Sequence, residues 1–269
     1  MFKVSRGWVW AAAFCVLFFS RDRCLAENAE WQELKGDHFI VYYRMDEKFA
    51  KNTLRLSEVY YNQIASDLGY PRYSNFWQWD NRVKIYLHPT RDEFLRASGQ
   101  AEWSNGMASY TRKEIETFTA SDGFLDGILP HEITHLIFRD FVGFKGEVPL
   151  WLDEGVAQWE EPKKRALAKP VALNLFQNNR QIPLKELTGI RDLATKDEQS
   201  VYYFYMQSIC LVDFLIRRYG APAFTDFCRQ LRDGKNLEEA LSFAYPGSLD
   251  SLELLEAKWK KYVTENERR

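Results

Sequence analysis

His131 and His135 are two of only four histidines in 269 residues, and they stand four positions apart in LPHEITHLIF with Glu132 between them. In a helix, residues at that spacing lie one above the other with their β-carbons about 5–6 Å apart, so both rings can aim a nitrogen at one metal ion. Glu132 is rotated off that point, where a base for an attacking water belongs. A catalytic zinc takes three protein ligands and keeps a fourth position open. The third is expected from Glu154, 19 residues after His135 in VPLWLDEGVAQW. Its neighbours Leu150, Trp151, Leu152, Val156, Ala157 and Trp159 are apolar, and no lysine or arginine lies within one helical turn of it in the sequence. A carboxylate in such surroundings is costly unless a cation accompanies it. His38 and His88 sit at strand edges without a comparable pattern and read as satisfied surface or core residues.

Two helices must bring these side chains together. Pro149 suits the first turn of the second helix, and Gly143 and Gly146 between them let the chain reverse so that Glu154 faces the histidines. Pro130 disfavours helix at Leu129, so FLDGIL forms either a separate turn or a kink. Upstream, HFIVYY and RVKIYLHP are strands separated by a long amphipathic helix ending at Gly69. Thr90 caps a short helix. GMASYT and IETFTA flank the turn-like RKE as a hairpin, and EIETFTA is expected to be an edge strand able to take an extended peptide by strand addition. Helices are predicted over about 124–140, 150–161, 198–218, 222–232, 236–244 and 249–265. No Ser/Gly-rich linker interrupts the chain, so residues 27–123 form a sheet-rich lobe and 124–269 a helical lobe of one domain.

The formal net charge is -2 and no basic block occurs, which excludes a nucleic-acid footprint. Residues 1–26 have the layout of a signal peptide: Lys3 and Arg6, an apolar run from Trp8 to Phe19, then a polar stretch ending at Ala26. Cleavage near Ala26 would export the mature chain to a periplasmic or extracellular setting; an uncleaved membrane anchor is the alternative. Of the four cysteines, Cys15 and Cys24 leave with that segment. Cys210 and Cys228 remain, either as a disulfide or as buried free thiols.

HEITH followed by WLDEG resembles the thermolysin-type gluzincins, and more specifically the small exported proteins of the peptidase MA-like group, over roughly residues 31–263. HFIVYY and YYFYMQSICLVDFLIRRYG fit the same pattern. The resemblance implies a zincin-like α+β fold, with a small mixed sheet packed on the zinc helix and a mainly helical second lobe. It also implies one Zn2+ held by His131, His135 and Glu154, with Glu132 as general base in hydrolysis of a peptide or protein substrate. A tyrosine from a later helix would stand near the oxyanion; Tyr205 fits best, with Tyr202 and Tyr203 as rivals. The chain departs from the thermolysin pattern four residues after Glu154, where Gln158 replaces an acid that orients a zinc histidine; Asp153 could substitute if it points inward. The alternative is a non-catalytic zinc-binding docking module.

Overall fold

Short runs rich in β-branched and aromatic residues supply the inner strands of a five-stranded sheet. In β2 (Phe39–Tyr43), Phe39, Val41 and Tyr43 are buried while Ile40 and Tyr42 are half-buried, and β3 (Val83–His88) repeats this with Val83, Ile85 and Leu87. With β1 (Gln32–Lys35), β4 (Gly106–Ser109) and β5 (Glu114–Phe118) the spatial order is β1-β2-β3-β5-β4. The inner pairs β2–β3 and β3–β5 are parallel; β1 and β4 close the two edges antiparallel. The computed structural model describes residues 30–69, 77–100, 102, 104–119, 123–143 and 148–265, and the signal segment expected over 1–26 lies outside the described residues.

This order corrects the expected edge. β5, the core of EIETFTA, bonds to β3 on one side and β4 on the other, and Thr117 is fully buried with its hydroxyl donating to the Asn105 carbonyl at 2.6 Å. The hairpin turns its first strand outward, so among the described residues β4 is the outermost strand on that side.

Between the strands run α1 (Glu47–Asp67), capped by the Asp46 side chain on Phe49 N, and α2 (Arg91–Ser98), capped by Thr90 on Glu93 N. FLDGI forms one π-helical turn over Phe124–Ile128, and α3 (Leu129–Val142) follows directly. Pro130 is tolerated because the first turn of a helix has no intrahelical partner for its amide. α3 buries Leu129, Ile133, Leu136 and Ile137 and packs against α1 and β4. The rest is helical: α4 (Leu150–Trp159), α5 (Pro162–Gln177), α6 (Leu184–Leu187), α7 (Glu198–Tyr219), α8 (Ala221–Arg232), α9 (Leu237–Ala244) and α10 (Leu252–Thr264). α5 was not predicted. It persists through the exposed Pro170 because Ala168, Ala172, Leu175 and Phe176 are buried along one side; tertiary packing outweighs the lost amide.

Cys210 on α7 and Cys228 on α8 are both free, which settles the disulfide question against a bridge. They face different parts of the core, Cys210 towards Trp259 and Cys228 towards Leu68, Phe138 and Thr225. Burial pushes the Cys210 thiol up to about 12 and that of Cys228 well above its ordinary value.

Gly155 explains how α4 and α7 come so close. A glycine inside a helix is unfavourable by about 1 kcal/mol relative to alanine, yet a Cβ here would lie 3.0 Å from both Ser208 O and Val212 Cγ2. α4 is thereby seated on α7, the helix that carries Tyr205. Gly155→Ala is expected to destabilise the fold by about 1–3 kcal/mol through overpacking, despite its better helix propensity. Urea denaturation measures this, and an unchanged or raised midpoint would refute the close-packing account.

Candidate metal centre

α3 presents His131 and His135 on its half-open side, one turn apart, and α4 lays Glu154 across from them. The rings stand nearly perpendicular with centroids 4.7 Å apart. Their Nε2 atoms are 3.1 Å apart, and Glu154 approaches with Oε2 3.9 Å from His131 Nε2 and Oε1 3.8 Å from His135 Nε2. Among the described residues this is the one trio of ligand-bearing side chains whose ligand atoms converge within 4.8 Å. A tetrahedral zinc with bonds of about 2.0–2.1 Å would set its ligands about 3.3 Å apart, close to the spacing found.

The outer nitrogens settle which atoms face inward. His135 Nδ1 lies 3.0 Å from Asp153 Oδ1, and His131 Nδ1 lies 3.0 Å from Glu161 Oε1. With each Nδ1–H donated to a carboxylate, both Nε2 atoms point at the shared space, and in the neutral rings their lone pairs form the donor arrangement a divalent metal requires. The residues present therefore fit a zinc ion.

The sequence-based assignments behind the trio need two changes. Asp153 does point inward, held by Arg139 Nη2 at 2.7 Å as well as by His135. Burial opposes its charge, but His135 and Arg139 outweigh burial and keep its carboxyl below the usual range. Gln158 does not touch a histidine; its amide donates to Glu154 Oε2 at 3.2 Å and steadies the carboxylate instead. The residue missed was Glu161, which orients His131 and is itself bound by Lys164 Nζ at 2.8 Å. Its signal was present: Glu161 lies seven residues after Glu154, two helical turns on along the same face. Glu161 closes the helix expected over 150–161, but in the structure it falls in the break between α4 and α5.

For His135, burial works against a charge, but Asp153, Glu154 and Glu132 around the ring outweigh it and push its pKa up to about 9. Glu132 and Tyr205 line the same cleft of about 620 Å³ as the trio, whereas Tyr202 and Tyr203 do not. Burial, then the charge on Glu154, pushes the Tyr205 hydroxyl up to about 12, so it remains a hydrogen-bond donor at neutral pH. One wall of the cleft is the edge strand β4, through Gly106, Met107 and Ala108. Gly106 is needed for that approach, since a Cβ there would fall 2.6 Å from Ile128 Cγ2. The other two histidines are satisfied elsewhere, His38 by Glu58 at 2.7 Å and His88 by Glu116 at 3.1 Å.

Comparison with known proteins bears on the fold and family. A family model described as the Peptidase MA superfamily matches residues 77–265. The uncharacterized protein YhcO of Bacillus subtilis (strain 168) is 23% identical over 274 residues, covering 94% of this chain and 80% of its own length. Among solved structures, a two-domain M1 zinc metallopeptidase crystallised as a mutant with L-arginine superposes with a TM-score of 0.51 at 14% identity, over 86% of this chain and 51% of that one. A conserved protein of unknown function from Bacillus anthracis str. Ames gives a TM-score of 0.49 at 13% identity, over 90% and 54%. The chain thus spans about half the length of the solved structures it matches.

Proposed function

Because the chain belongs to the Peptidase MA superfamily, we propose that it is a zinc-dependent peptidase working on the exported side of a membrane, with His131, His135 and Glu154 as metal ligands. The observation that carries this reading is the convergence of those three side chains with both histidine Nδ1 atoms tied back to carboxylates. A zinc ion held there would supply a Lewis acid that lowers the pKa of a coordinated water towards about 7.

The chain's own groups do the rest. Glu132 accepts the proton of the attacking water and returns it to the departing amine. Tyr205 donates its hydroxyl hydrogen bond to the oxygen that gains charge as the carbonyl becomes tetrahedral. Asp153 and Glu161 keep the imidazoles in one tautomer and one orientation. The free edge of β4 can pair with an extended peptide through main-chain hydrogen bonds, which places a scissile carbonyl beside the trio without demanding a particular sequence.

The test is elemental analysis of the mature chain together with turnover of a mixed peptide library. About one zinc per chain is expected, with turnover abolished by a chelator and restored by one equivalent of zinc. A well-folded chain that takes up no zinc would overturn the proposal.

A further inference from the structure

Helix stability alone does not account for the cations around the cleft. α5 opens on Pro162, Lys163, Lys164 and Arg165, with Glu161 at its N-cap as the one acid there, although the positive end of a helix dipole opposes a run of cations. Lys163 offsets this at the surface by pairing with Asp126 at 2.7 Å. Lys164 turns instead into the metal cleft. There it donates to Glu161 Oε1, the same oxygen that meets His131 Nδ1, so its ammonium lies two hydrogen bonds from a ring of the trio. An ammonium has three donors, and the Lys164 side chain lines the cleft and is 42% exposed, so its bond to Glu161 does not exhaust them.

The carboxylates of the cleft are in the opposite condition. Asp153 is shared by His135 and Arg139, Glu154 belongs to the trio and holds Gln158, and Glu132 is the proposed base. Among the charged groups of the cleft, Lys164 is thus a cation beside His131 that is not spent on the trio itself. Resting on the peptidase reading above, we propose that Lys164 anchors a carboxylate of the substrate within about two residues of the scissile bond, each extended residue advancing about 3.3 Å. The carboxylate could belong to an acidic side chain or to a free peptide C-terminus; both present the same two oxygens.

The experiment starts from a library peptide that the zinc-loaded chain cleaves. Glu or Gln is placed in turn at each position within two residues of the cut, and a further version is truncated so that its free C-terminus falls there. The specificity constant is measured for wild type, Lys164→Gln and Lys164→Arg. Wild type is expected to favour the carboxylate-bearing peptide by about tenfold or more at one position, as a charge-assisted hydrogen bond implies. Lys164→Gln should erase the ratio and Lys164→Arg should retain it. Preference for Glu locates the carboxylate on a side chain; preference for the truncated peptide locates it at the C-terminus.

A wild type that cleaves all versions equally, or a preference that survives in Lys164→Gln, would overturn the anchor while leaving the peptidase reading intact. If no peptide is cleaved, fluorescence anisotropy of labelled Glu- and Gln-containing peptides on zinc-loaded chain gives the ratio without chemistry. Equal binding, or none, would equally overturn it.

Discussion

Glu132→Gln is expected to bind as much zinc as the wild type while losing peptide turnover by about 100- to 10,000-fold, the range that a positioned general base contributes. Glu132 supplies no ligand atom to the converging trio, so the exchange of a carboxylate for an amide of the same shape leaves the ligand set in place. What it removes is the only group in the proposed mechanism able to take a proton from water and hand it on. Specificity constants and zinc content measured on the same samples separate the two readings of the site. A docking module has no turnover to lose and would be indifferent to the change. Turnover within a few-fold of wild type, with zinc retained, would remove Glu132 from the mechanism.

How much of this was legible in the amino-acid sequence depends on how local each feature is. His131, Glu132 and His135 share one helical turn, so spacing alone places them. Glu154 was legible for a different reason: a carboxylate among Trp151, Leu152, Val156 and Trp159 requires a partner. The strands β2 and β3 followed from their short β-rich runs. Strand order did not, because whether β4 or β5 lies outermost is decided by which of them pairs with β3, a contact far apart in sequence. Glu161 and Lys164 escaped notice because they sit where α4 ends and α5 begins, and the direction in which such a junction aims its side chains is set by packing. The choice between a bridge and free thiols stayed open for a related reason, since two cysteines on neighbouring helices need facing β-carbons, and helix rotation is set by packing.

Loss of Glu154 is the second large effect expected. Glu154→Ala leaves two imidazoles one turn apart on α3 with no third protein ligand to oppose them, and should lower zinc affinity by more than the roughly 10–100-fold that loss of an outer hydrogen-bond partner costs. Elemental analysis after dialysis should then find about one zinc in the wild type and none in the variant. The protons give a second, independent check. The carboxylates around His135 push its pKa up to about 9, so near neutral pH its ring carries a proton that zinc must displace, since only the neutral imidazole coordinates. Zinc uptake by chelator-treated wild type should therefore release about one proton from that ring, and affinity should rise with pH until about 9 and then level off. The same raised pKa works in the opposite sense on the chelated protein. The stability contributed by charged His135 is fully present below the ordinary histidine value near 6.5 and is lost as pH rises through about 9. Glu154→Ala removes one of the charges that raise this pKa, so the variant's ring should titrate lower, measurable by NMR of the imidazole protons. An unshifted titration, or zinc retained at wild-type stoichiometry, would mean that Glu154 does not face the histidines, and the three-ligand centre would have to be abandoned.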